Sequence, residues 1–298
     1  MTAPEVRCSA SALAAGEPLT GTAPYARAWI GLEQPGPWGR GALQQSHLPD
    51  GLGAALAERT RGLPATVVLI RRPGRHADLG GAGTRRLVVA HAGPVDPWLR
   101  IADLADPWAV LDLDFERLCD GTPPDAGWLR PSDAPTALVC TNAQRDLCCA
   151  EQGRPLALAL AAEGLEVWES SHLGGHRFAP TAAVLPFGVV LGRCTADDVR
   201  AALGGLIPLE AYRGRSAYPQ PAQAAEAYVR ATTGLSVLDS VADVVPGGHG
   251  RWRVRLADGA SQVVEVVEST GPDRKESCRK PAQPSTRWTA SVGPETPR

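Results

Sequence analysis

Hydrophobic positions along the chain fall into short runs of two kinds, extended and helical. Tyr25–Glu33 (YARAWIGLE) alternates around Trp29 and Ile30 and predicts a strand. Glu33–Gly41 (EQPGPWGRG) cannot continue it, because proline brings no ladder N–H. Pro49–Arg61 has helical spacing at Leu52 and Leu56, with Gly62 as the stop. Ala65–Arg71 (ATVVLIR) and Arg85–His91 (RRLVVAH) are the continuous apolar runs of buried strands, and GGAG at Gly80–Gly83 predicts a turn between them. Trp108–Glu116 reads as extended. Thr122–Pro135, with four prolines, reads as a linker.

The second half repeats the order. Thr136–Cys140 (TALVC) predicts a short buried strand, Arg154–Ala162 a helix with Pro155 in its first turn, and Leu165–Ser170 an alternating strand. Ala183–Leu191 is strand-like but broken by Pro186 and Gly188. Thr195–Leu203 starts with a capping threonine and an acidic first turn, so it predicts a helix. Strand, helix, strand, then strand and helix is the order of a thioredoxin-like unit. Both halves approximate it without a clear sequence repeat. From Gln220 the pattern changes to a helix at Ala222–Thr232 and three alternating strands at Val241–Val245, Arg251–Leu256 and Gln262–Val267. The expected fold class is therefore α/β, with thioredoxin-like domains of mixed sheet flanked by helices and a small C-terminal β-rich appendage. The expected divisions are residues 1–135, 136–218 and 219–298. The first 20 or so residues read as an irregular arm, and the polar tail from Thr270 as loose at its end.

Composition adds exclusions. With 44% hydrophobic residues, 21% charged residues and a formal net charge of −2, phosphate neutralisation and hence nucleic acid as partner are not expected. No apolar run approaches the roughly 20 residues needed to span a bilayer, and the N-terminal stretch is a poor signal peptide. The expectation is a cytoplasmic protein without a membrane partner. Seven cysteines in a chain too large to need disulfide staples then point to metal or redox chemistry.

Cys8, Cys119, Cys194 and Cys278 are scattered and read as small packing thiols. The other three sit together in CTNAQRDLCC as Cys140, Cys148 and Cys149, and HLGGHRFAP follows with His172 and His176. Thiolates and imidazoles at the ends of successive strands suit a transition metal. The eight residues between Cys140 and Cys149 are too many for a zinc knuckle. Gly174 and Gly175 make a loop, not a helix, between the histidines. The plant-type ferredoxin spacing is absent. This chemistry ranks a mixed Cys/His iron–sulfur cluster just ahead of zinc.

The segment Cys140–Ala157 (CTNAQRDLCCAEQGRPLA), followed by His172–Thr181 (HLGGHRFAPT) and preceded by Trp29–Gly39 (WIGLEQPGPWG), resembles the sucrase/ferredoxin-like family. The resemblance implies a thioredoxin-like ferredoxin fold whose [2Fe-2S] cluster is bound through a C-x8-C and an H-x-G-G-H pattern. It implies Cys140, Cys149, His172 and His176 as ligands, and an electron carrier working with a redox partner protein, a reductase or an acceptor. It selects Cys149 over Cys148. Arg145 and Asp146 match the family's Arg-Asp pair, with a local salt bridge or helix cap as the simplest role. Arg177 either meets an acidic partner or is solvated.

Other readings are weaker. A thiol-disulfide oxidoreductase would lack the Cys-x-x-Cys that activates a thiolate, and a structural zinc module would have unusual spacing. A glycosidase needs two opposed carboxylates, for which Asp112, Asp114 and Glu116 on one strand face are the only suggestion. A dinucleotide site fails because Arg86 stands where Gly81 and Gly83 would need a third glycine.

Overall fold

The computed structural model describes residues 6–74 and 83–293. The Gly80–Gly83 turn therefore lies, apart from Gly83, outside the described residues. The elements are α1 (Cys8–Ala14), β1 (Ala28–Glu33), α2 (Leu52–Arg59), β2 (Ala65–Arg71), β3 (Arg85–His91), β4 (Trp98–Leu104), α3 (Phe115–Asp120), β5 (Arg130–Pro131), β6 (Thr136–Cys140), α4 (Leu147–Ala162), β7 (Val167–Ser170), β8 (Thr181–Leu185), β9 (Val189–Gly192), α5 (Ala196–Leu203), β10 (Tyr212–Arg215), α6 (Gln220–Thr233), β11 (Val241–Gly248), β12 (Arg251–Leu256), β13 (Ser261–Lys275) and β14 (Ala282–Val292). No helix among the described residues is long and apolar enough to cross a membrane.

Ten strands form one mixed sheet in the order β10-β9-β8-β6-β7-β2-β1-β3-β4-β5, and β11 to β14 form a second, antiparallel sheet. The large sheet is two copies of one topology. In the first, β1 is parallel to β2 and antiparallel to β3, which pairs with β4. In the second, β6 is parallel to β7 and antiparallel to β8, which pairs with β9. The equivalent strands β2 and β7 meet antiparallel at Ile70–Ser170 and Arg71–Glu169, joining the two units edge to edge. The halves that the sequence order suggested are thus alike in topology, although no sequence repeat betrays it.

The apolar runs are the core. Ile30, Leu32, Leu69, Leu87 and Val89 pack under α2 and α3 in the first unit, and Val139, Leu160, Val184 and Leu191 pack under α4 and α5 in the second. Thr195 and Asp198 form a reciprocal capping box at the start of α5.

Four expectations need correction. Trp108–Glu116 is not extended: Pro107–Asp112 is a 3-10 turn, and Asp114 caps α3 through the Arg117 N–H. That removes the strand face on which Asp112, Asp114 and Glu116 would have lined up. The helix expected at Arg154 begins seven residues earlier, at Leu147, because the Asp146 side chain accepts from the Cys148 N–H and caps it there. Pro155 then lies inside the helix. The N-terminal arm contains a helix, α1, with Cys8 and Ala12 buried. The tail from Thr270 is not loose: β13 runs on to Lys275 and pairs with β14 along the hairpin. The turn of that hairpin folds back onto the second unit beside α1.

Candidate metal centre

Cys140 is the last residue of β6, Cys149 sits in the first turn of α4, and His172 and His176 follow β7. All lie at or beyond the carboxyl ends of the parallel pair β6 and β7, where open α/β sheets gather ligands. The helix comes close enough because residue 153 is glycine: a Cβ there would stand 2.2 Å from the Cys140 carbonyl oxygen. The loop after β7 turns through Gly174 (φ +76) and Gly175 (φ +70), both left-handed. A Cβ on Gly175 would also strike the Arg213 guanidinium at 2.4 Å.

The four predicted residues fall into two pairs. Cys140 and Cys149 are within hydrogen-bonding reach of each other, and the His172 ring reaches Cys140. The His172 and His176 ring centroids are 5.2 Å apart. As a thiol, Cys140 lies 3.0 Å from the Ser171 carbonyl oxygen. Donation from Cys149, and then from His172 and the Leu173 amide, pulls Cys140 well below the usual thiol range against its burial. Cys149 is pushed up by its bond to Cys140 and by burial. Burial holds His176 down at about 4, against the pull of Asp146, so its imidazole is neutral, the form that binds metals.

The residues fit a bound metal group. Among the described residues, His172 Nδ1 and both ring nitrogens of His176 are buried without a hydrogen-bond partner, and buried polar atoms rarely stay so. The cysteines face the interior, whereas the histidines line a cleft of about 230 Å³ with Arg40, Arg145, Arg177, Glu276 and Lys280. The buried Arg213 donates to the Gly174 carbonyl at 3.0 Å and to Thr22. Burial chiefly, with repulsion from Arg177, lowers it to about 9, while Cys140 and Cys149 draw it back up. It is a fixed positive charge behind the loop that the sequence reading overlooked.

The first unit supports the second across the seam. Asn142 donates to the Gly39 carbonyl at 3.0 Å. Arg71 lies over the Trp38 ring at 4.2 Å and pairs with Glu169 at 2.7 Å, and Glu169 accepts from Thr141 at 2.9 Å. The WIGLEQPGPWG segment thus buttresses the Cys140 loop. Arg177 is neither solvated nor free for a partner, since its Nε donates to the buried Glu17 at 2.9 Å, which also accepts from Arg274 at 2.9 Å. Asp146, besides capping α4, lies 3.8 Å from His176 Nε2.

Cys148 points elsewhere. Its sulfur meets Cys8 and Cys278, two cysteines that the sequence pattern set aside as unrelated, and with Asp146 they place four candidate ligand atoms within 4.8 Å of one another. Separations of 140 and 130 residues hid this grouping.

A family model described as sucrase/ferredoxin-like matches residues 19–211. The match takes in both sheet units and all four predicted ligands, and leaves out Cys8 and Cys278. No curated protein and no solved structure matches the chain.

Proposed function

The chain belongs to the sucrase/ferredoxin-like family, and on that premise we propose that it is an electron-transfer protein whose [2Fe-2S] cluster is held by Cys140, Cys149, His172 and His176. The observation that carries this reading is the placing of two buried cysteines beside two histidines whose ring centroids lie 5.2 Å apart, with His172 Nδ1 and both His176 nitrogens buried without a hydrogen-bond partner among the described residues. Such a cluster, when bound, supplies one-electron storage.

The chain's own residues would do the rest. Cys140 and Cys149, buried at the end of β6 and the start of α4, exclude water from one side. His172 and His176 form the side nearest the cleft, where electrons and protons would pass. Asp146, 3.8 Å from His176 Nε2, favours a proton on that ring, which would couple electron uptake to proton uptake. Arg213 offsets negative charge within the fold. Arg40, Arg145 and Lys280, the last paired with Glu276 at 3.0 Å, line the cleft, so the expected redox partner presents acidic groups there.

Purification of the full chain without oxygen tests the reading. A reddish-brown protein that bleaches on one-electron reduction and recovers on reoxidation is expected. A colourless protein that stays colourless after anaerobic incubation with iron and sulfide would contradict it.

A further inference from the structure

We propose a second metal site, a structural zinc site formed by Cys8, Cys148 and Cys278 with the Asp146 carboxylate as fourth ligand. It stands on different side chains from the proposed cluster ligands and does not rest on that reading.

The three sulfurs form a nearly equilateral triangle: Cys8–Cys148 is 3.6 Å, Cys148–Cys278 is 3.4 Å and Cys278–Cys8 is 3.6 Å. Tetrahedral zinc with bonds of about 2.3 Å separates two sulfurs by about 3.8 Å. The triangle needs to widen by only a few tenths of an ångström. A disulfide, with sulfurs about 2.05 Å apart, would need a far larger shift and would strand the third thiol. Asp146 Oδ1 stands 3.4 Å from Cys8 Sγ, which suits an oxygen at the fourth vertex.

Two of the three sulfurs, Cys278 and Cys148, face polar N–H and O–H groups, while Cys8 as a thiol donates to Asp146 Oδ1. The Cys8 N–H points at Cys278 Sγ at 3.4 Å, and Ser9 Oγ lies 3.3 Å from Cys148 Sγ. Asp146 is buried. It is held in place by the Cys148 N–H at 3.1 Å, the Cys278 N–H at 2.9 Å and the Ser277 hydroxyl at 3.0 Å. Among the described residues its one ion-pair partner is the His176 imidazole, 3.8 Å away, and no arginine or lysine pairs with it. Three sulfurs packed as simple apolar groups would not enclose a carboxylate. A divalent cation supplies the missing charge, and soft sulfur ligands favour zinc among the common ones. On binding, zinc replaces the protons of the thiols, which leave to solvent. No electron is transferred, and the net charge equals that of a four-cysteine zinc site.

The site would fasten three distant parts of the chain: α1, the first turn of α4 and the β13–β14 turn. Two of its cysteines lie outside residues 19–211, so the site is an addition to the part that the family model matches.

Elemental analysis of the full chain, purified without chelators or metal-affinity resin, tests the proposal. One zinc per chain is expected in addition to any iron. Cys8→Ser and Cys278→Ser should each lose at least nine-tenths of the zinc and keep their iron, while Cys119→Ser and Cys194→Ser keep both. Cobalt added to zinc-depleted wild type should give the visible bands of a tetrahedral thiolate site, which keeps the test open if a serine variant is insoluble. Wild type that contains no zinc and gives no cobalt bands would overturn the proposal. So would zinc retained in both serine variants, iron lost in place of zinc, or a disulfide among the three cysteines.

Discussion

Cys148 and Cys149 are consecutive in the first turn of α4, yet Cys149 packs with Cys140 while the Cys148 sulfur lies 3.4 Å from Cys278. Neighbouring helical side chains leave the axis about 100° apart, so one helix end serves two groups of ligands. Cys149→Ala should abolish iron binding, as should Cys140→Ala, His172→Ala or His176→Ala. Cys148→Ala should keep most of the iron and sulfide. Quantifying both per chain decides it: full loading in Cys149→Ala with loss in Cys148→Ala reverses the assignment.

The redox potential should depend on pH. Neutral imidazole leaves less negative charge than thiolate, so two histidines should raise the potential above the plant-type level of about −400 mV. Between the oxidised-state and reduced-state pKa values of a ligand imidazole, it should fall by roughly 59 mV per pH unit, the one-electron slope. His176→Cys, if the cluster survives, should lower the potential and weaken the slope. Potentiometry from about pH 6 to pH 10 checks this, and a flat line removes the proton-coupled part of the account.

Glu226 is buried between Arg215 (2.9 Å) and Arg230 (2.9 Å) and accepts from the Tyr212 hydroxyl at 3.1 Å. Burial opposes its ionisation, but the two arginines outweigh it, and its pKa is lowered. A carboxylate with a depressed folded-state pKa stabilises the fold fully above its unfolded value, near 4.3, and loses that contribution as pH falls through the folded value. Glu226→Ala should cost about 3 kcal/mol or more at pH 7, since it leaves two buried cations unpaired. The difference from wild type should shrink below about pH 4. Urea unfolding at several pH values measures both.

Removing residues 219–298 should weaken the centre as well as the fold. The sequence pattern alone predicts that a chain ending near Tyr218 keeps the cluster, because all four proposed ligands precede it. The hairpin, however, supplies the Ser277 and Cys278 bonds to Asp146 and the Arg274 partner of Glu17. The shortened chain should bleach in air several-fold faster than the full chain. Equal bleaching rates would show that the hairpin plays no part in protecting the site.

Local pattern made the core strands and the spacing of the two Cys/His segments readable. Thr136–Cys140 is a strand to the residue, because a continuous apolar run between a proline and a polar loop leaves little choice. Trp108–Glu116 misled because alternation over a few residues also fits a turn followed by a capped helix, and Asp114 settles that competition. The meeting of Cys8, Cys148 and Cys278 was illegible, since each side chain alone looks like a packing thiol and only the folded chain brings them together. Asp146 was legible as a cap, but not as the residue standing between His176 and three sulfurs.

The central claim is histidine ligation, and pulsed EPR on the reduced full chain grown with ¹⁵N-histidine tests it most directly. Two strongly coupled imidazole nitrogens are predicted in wild type, and one in whichever of His172→Cys and His176→Cys retains the cluster. A signal without strong nitrogen coupling would mean that the iron is held by cysteines alone and would contradict the account.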